Sequence, residues 1–153
     1  SAGQETGDFA QIYLNGVDLS PDQRGYNLVA IDPGDGRVIS QRAFDTHGDP
    51  GASLALAQWI ETLPADTILV GAVRDEASMN LGRVAVVALE TAGVSTDLSG
   101  QFRWGHAFVG RIGWTPGRAL ERADAIRPVQ ISIGLPATAP QLAAELVYIT
   151  IDR

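Results

Sequence analysis

Two short runs constrain this chain more than anything else in it. Tyr26–Ile31 and Thr67–Val73 are almost continuously apolar, and each is bounded by glycine, aspartate or arginine. Runs of six or seven residues bounded in this way suit strands in the interior of a sheet. After the first run come Asp32-Pro33-Gly34-Asp35-Gly36, and then Arg37–Phe44 with Val38, Ile39 and Phe44 apolar. A tight connection between two such runs predicts a β-hairpin. Its aspartates lack the spacing and terminal glutamate of an EF-hand loop, so turn chemistry accounts for them.

Other elements gather around that hairpin. Phe9–Leu14 reads as a strand, Asn15-Gly16 as a turn and Val17–Gln23 as a polar loop holding Pro21. Asp49-Pro50 reads as a helix start, with Asp as N-cap and Pro in the first helical position. Leu54, Ala57, Trp59, Ile60 and Leu63 form its apolar stripe, and Pro64 ends it. A second helix is expected from Ser78 or Asn80 to Ala92, with Leu81, Val84, Ala85 and Ala88 on one face and Gly93 as its C-cap. Ala107–Ile112 reads as a strand. Val129–Ile133 and Leu146–Ile151 alternate as half-buried strands do, with Pro136 and Pro140 bounding the loop between them. Two helices among about seven strands predict an α+β fold with mostly antiparallel pairing. A Rossmann arrangement is the alternative, weakened because no Gly-x-Gly-x-x-Gly follows the first strand.

A length of 153 residues fits one domain, expected over residues 9–153, with residues 1–8 as a flexible lead segment or expression remnant. The small, polar Ser1–Gly7 lacks the basic and apolar regions of a signal peptide, and an excised piece of a larger protein would look the same. The net charge of −7 has the wrong sign for phosphate backbones, and there is no basic run. Nucleic acid is therefore a poor partner, and membrane association is expected only through a larger parent protein. The chain has no cysteine, which excludes disulfides, thiolate zinc sites and cysteine nucleophiles. Its eleven basic side chains are all arginine. Coding bias and a need for planar, carboxylate-binding forks both account for that.

No hydrolase elbow, P-loop or His-Glu-x-x-His pattern is present, and neither cofactor nor metal is expected. His47, beside Asp45 and Asp49, reads as part of a solvated loop. His106 reads as a satisfied core histidine. Three polar spots stand out instead: Arg24-Gly25, Arg74-Asp75-Glu76 and Arg103-Trp104. Each lies at the edge of an inner strand, where a scaffold presents side chains rigidly. The plainer reading is solvated charges and caps, with Asp75 or Glu76 favouring the start of the second helix. Adjacent carboxylates diverge at a strand end, so Asp75 and Glu76 do not make a glycosidase pair.

Several segments form one ordered pattern. They are Arg24–Asp32, Gly36–Ile39 with Ala43-Phe44-Asp45-Thr46, Val73-Arg74-Asp75-Glu76-Ala77-Ser78, and Phe102-Arg103 with Ala107–Gly113. Over about Tyr13 to Gly113 the chain resembles the interleukin-like EMT inducer (pancreatic-derived-factor-like) domain. It is also similar to the stem domain of protein O-linked-mannose N-acetylglucosaminyltransferase. The resemblance implies a compact pair of antiparallel sheets, sandwich-like, flanked by two or three short helices. It implies a lectin-like site for N-acetylglucosamine or a related pyranose at Arg24, Asp75 and Arg103. Trp104 and Trp114 are candidates for the aromatic wall. The chain departs from the family at His106, where tryptophan is usual, and at Trp104, where aspartate is usual, which implies an altered site wall. It also lacks the disulfides of the cytokine-like members.

The expected function is accordingly a non-catalytic carbohydrate-binding accessory domain on the extracellular or periplasmic side, for example of a larger envelope glycosyltransferase. The alternative is a protein–protein interaction or signalling domain that binds no sugar.

Overall fold

The computed structural model describes residues 8–134 and the backbone of 147–149. The described residues hold nine strands and two helices. In order these are β1 (Ile12–Leu14), β2 (Val17–Asp18), β3 (Gly25–Ile31), β4 (Val38–Phe44), α1 (Ala52–Glu61), β5 (Ile68–Arg74), α2 (Arg83–Glu90), β6 (Gly105–Arg111), β7 (Leu120–Asp124), β8 (Ser132–Ile133) and β9 (Val147–Ile149). The fold is a compact α+β arrangement of two sheets and two helices, as the sequence implied.

The larger sheet runs β4-β3-β5-β6-β7 and is antiparallel throughout. That pairing excludes the Rossmann alternative, which needs parallel strands joined by crossovers. The smaller sheet runs β2-β1-β9-β8, and β9 joins β1 and β8 in parallel.

The apolar runs owe their continuity to cover on both faces. Leu28 and Ala30 of β3, Leu69 and Val73 of β5 and Phe108 of β6 pack with Leu56, Trp59, Ile60, Ala85 and Leu89 of the helices. Their alternates Val29, Ile31, Val70, Ala72, Ala107 and Val109 pack with Ile12, Leu14, Val129 and Ile131 on the smaller-sheet side. Successive strand residues point to opposite faces, so a layer on each face makes every position of β3 buried. Antiparallel sheets often leave one face to water, and the two layers remove that option here.

Several local expectations hold and others need correction. Asn15 (φ 52°) and Gly16 (φ 80°) close the β1–β2 hairpin, the paired positive φ values that a two-residue type I′ turn demands. Val17-Asp18, expected in a loop, is the return strand of that hairpin. The Asp32–Gly36 segment is a turn: Asp32 Oδ1 accepts from Gly34 N, and Gly36 N donates to Asp32 O. The first helix starts at Ala52 rather than at Asp49-Pro50, because Asp49 Oδ1 closes a turn with Gly51 N at 2.8 Å before the helix begins. The second starts at Arg83 rather than at 78–80. Residues 77–80 are instead tied to the loop after β4: Thr46 Oγ1 donates to Ala77 O at 2.8 Å, and Asn80 N donates to Thr46 O at 2.8 Å. Ser53 of α1 then serves the start of α2, its Oγ accepting from Gly82 N at 2.8 Å. The expected Val129–Ile133 strand shortens to Ser132–Ile133, while β7 was not anticipated at all. Pro136 and Pro140 lie outside the described residues.

Candidate functional site

Three strands deliver their polar ends to one edge of the larger sheet. Gly25, which opens β3, pairs with Arg74, which closes β5. Ala72 pairs with Ala107, which sets the start of β6 at the same level. Arg24, Asp75 and Arg103 therefore leave the sheet side by side, although 79 residues of sequence separate the first from the last.

Arg103 is the hub of this end. Its Nη2 lies 3.1 Å from Asp75 Oδ1 and 2.7 Å from Asp8 Oδ1. Arg24 is held by a different carboxylate. Its Nε and Nη2 donate to the two oxygens of Asp45 at 3.0 and 2.7 Å. Such a two-bond fork fixes a guanidinium more firmly than a point charge would. The Arg24 donors hold the Asp45 carboxyl at about 2, well below its ordinary value, with burial opposing and the Gly48 amide assisting. Asp45 first, and then the fields of Asp75 and Glu76, raise the Arg24 guanidinium further above its usual value. Arg74 completes the row, donating to the Asp22 backbone carbonyl and lying 3.7 Å from the Asp22 carboxylate.

The backbone here is strained. Among the described residues five non-glycines have positive φ, and Asp22 (48°), Asp75 (56°) and Arg103 (56°) all belong to this end. Aspartate tolerates this region because its short side chain bonds locally, whereas arginine has no such help and bears about 1–2 kcal/mol. Arg103 sits third in a turn closed by Trp104 N donating to Gln101 O, where its φ gives the type II form that favours glycine. Its buried Nε also lacks a hydrogen-bond partner among the described residues. Local strain of this kind collects where a side chain must be presented in one orientation.

The two neighbouring carboxylates diverge as expected. Asp75 faces Arg103, while Glu76 turns inward and is 2% exposed. Burial opposes ionisation of Glu76, but donation from Ser78 and His47 outweighs it and leaves the carboxyl below its ordinary value. His47 Nδ1 lies 2.5 Å from Glu76 Oε2, so this histidine is docked and only partly solvated, a correction to the open-loop expectation. Asp45 is committed to Arg24, and Asp49 to its own turn. Each of these three side chains thus has a partner of its own.

The aromatic candidates separate. Trp104 is half-buried and packs against the helix-side core. Trp114 follows the far end of β6, at the opposite edge of the sheet, with Arg118 over its ring. Phe102, which sequence reasoning did not weigh as a binding residue, is 56% exposed beside Arg103. His106 lies in the core and not in a site wall. It is 0% exposed, 3.1 Å from the Tyr26 hydroxyl and 3.4 Å from Glu121.

Asp45 and Asp8 were also missed as partners. The Asp45 signal lay in the hairpin: pairing Tyr26 with Phe44 carries Asp45 to the side of Arg24. Asp8 comes from a segment remote in sequence and carries no such signal.

Residues 24–114 match the family model described as interleukin-like EMT inducer. The human protein named "Cell migration-inducing and hyaluronan-binding protein" is 36% identical over 86 residues. The match covers 56% of this chain and 6% of that protein.

Proposed function

The chain belongs to the interleukin-like EMT inducer family, and from that premise we propose that it is a non-catalytic carbohydrate-binding module whose site is the sheet end bearing Arg24, Asp75 and Arg103. The ligand is one pyranose unit of a glycan, with N-acetylglucosamine or a close relative as the first choice. The module spans residues 9–153, with Asp8 just ahead of it bonded to Arg103, and acts outside the cytoplasm as an accessory part of a larger protein.

The observation that supports the reading is that these three residues follow or precede strands ending at one edge of the larger sheet, with Asp75 and Arg103 paired there at positive φ. A carboxylate accepts from adjacent sugar hydroxyls, while guanidinium N–H groups donate to hydroxyl and ring oxygens. Asp45 takes Nε and one Nη2 proton of Arg24, whose side chain stays 45% exposed. The relative's name includes hyaluronan binding, and of the two alternating units of that polymer it is the neutral N-acetylglucosamine, not the uronate, that resembles the ligand proposed for this chain. No helix among the described residues is long and apolar enough to cross a membrane. With few polar anchors on an open edge, affinity falls at roughly −4 to −6 kcal/mol, in the mM to tens of μM range.

A second reading, a protein-interaction domain, draws on an apolar groove of ≈ 470 Å³ between α1 and α2, lined by Ala57, Ile60, Val84 and Val87. A glycan array with the wild-type chain and Asp75→Asn separates the two. Asp75→Asn keeps the shape and removes the carboxylate charge, while Asp8 still holds Arg103. It should cost about 1.5–3 kcal/mol of binding with little loss of fold stability. A wild-type array with no glycan hits moves the assignment to the groove.

A further inference from the structure

We infer that this site selects an uncharged pyranose lying flat against Phe102, and that it rejects uronates and other anionic sugars. The inference rests on the carbohydrate-binding reading and narrows it to one class of ligand.

The electrostatics point away from an anion. Each guanidinium at this end already has a carboxylate partner: Arg24 has Asp45, Arg103 has Asp75 and Asp8, and Arg74 has Asp22. Glu76 adds a further negative charge just below the surface, and its field reaches Arg24. An arriving carboxylate would meet carboxylates at close range with each of these cations already answered. The whole chain carries −7, so its long-range field repels an anion as well. Specificity achieved by repelling the wrong ligand needs no extra contact with the right one. Neutral hydroxyls face no such barrier, because a paired guanidinium still offers its unused N–H groups and a paired carboxylate still offers lone pairs.

The stacking surface is Phe102 rather than Trp104. The two residues flank Arg103 on a single turn, but Trp104 contributes its ring to the helix-side core. Phe102 leaves more than half of its surface to water, and core packing does not account for its place in a turn. Its ring offers the negative π face that the C–H side of a pyranose seeks. Arg103 is held at positive φ immediately beside it, so the polar and aromatic halves of the site are fixed by one turn.

Ligand-observed NMR titration at matched ionic strength tests this with two probes, methyl N-acetyl-β-glucosaminide and methyl β-glucuronide, on wild type, Phe102→Ala and Phe102→Trp. The neutral glycoside should bind at least tenfold more tightly than the glucuronide. Phe102→Ala should weaken the neutral probe at least fivefold, and Phe102→Trp should retain or improve it. A glucuronide that binds as tightly as the neutral probe overturns the inference. So does an unchanged affinity of the neutral probe in Phe102→Ala, and in either case the carbohydrate-binding reading survives. If neither probe binds wild type, both readings fail together. Phe102 is exposed, so a dispersed amide spectrum should show that each variant is folded.

Discussion

Glu121 shows how a single side chain can govern a buried polar centre. It accepts from Ser95 N at 2.9 Å and from Thr96 N at 3.2 Å, and it lies 3.4 Å from the ring of the fully buried His106. Burial opposes the charge, yet these donors outweigh it and hold the carboxyl at about 2, below an ordinary 4.5. A depressed folded-state value gives stability that is complete above the unfolded value and is lost as pH falls through the folded one. The window here is roughly pH 5 to 2, and the contribution is on the order of 2 kcal/mol. Glu121→Gln should therefore lower stability at pH 7 by about that amount and flatten the acid limb. Urea unfolding at stepped pH reads both, and parallel acid limbs for variant and wild type would contradict the account. The core placement of His106 was legible from the apolar strand that it opens. Its partner was not, because Glu121 lies on β7, whose Leu-Glu-Arg-Ala-Asp carries no strand signal. An edge strand rich in charge is a device against edge-to-edge pairing, and it hides the strand from a hydrophobicity reading.

The elements that were legible are those whose position dictates their composition. β3, β5 and β6 have a layer on each face, so nearly every residue must be apolar, and their runs stand out. The first helix start was misplaced because Asp49 commits its side chain to its own turn, and the second because its anchor is tertiary: Ser53 belongs to α1 yet serves α2, and no local pattern announces that. Gly71 tests the packing of the central strands. A Cβ built there would lie 2.1 Å from the Phe108 ring and 2.9 Å from Leu28. Gly71→Ala should thus overpack the helix-side core and cost about 1–3 kcal/mol. Thermal unfolding within experimental error of wild type would show that Phe108 has room to move. Gly25 carries a different constraint. Its φ is +91°, and a Cβ there would lie 2.1 Å from Phe44 O, which leaves no room for a side chain directly beside Arg24.

At the scale of the whole molecule, the two helices and the smaller sheet hold the larger sheet from both faces among the described residues. One end carries Arg24, Asp75 and Arg103, three residues visible in the sequence as polar spots beside inner strands. Sequence did not show how they are held. Asp45 anchors Arg24, Asp8 and Asp75 share Arg103, and these pairings depend on strand register and on a remote segment. It also pointed to tryptophans for an aromatic wall, where Phe102 is the exposed ring on the Arg103 turn. The account's central claim is that this end is the sugar site, and amide chemical-shift mapping with methyl N-acetyl-β-glucosaminide tests it most directly. The expected result is a saturable set of shifts confined to residues near Arg24, Asp75–Ser78 and Phe102–Trp104. Saturable shifts centred instead on Ile60, Val84 and Val87 of the helical groove, or none at millimolar sugar, would contradict it.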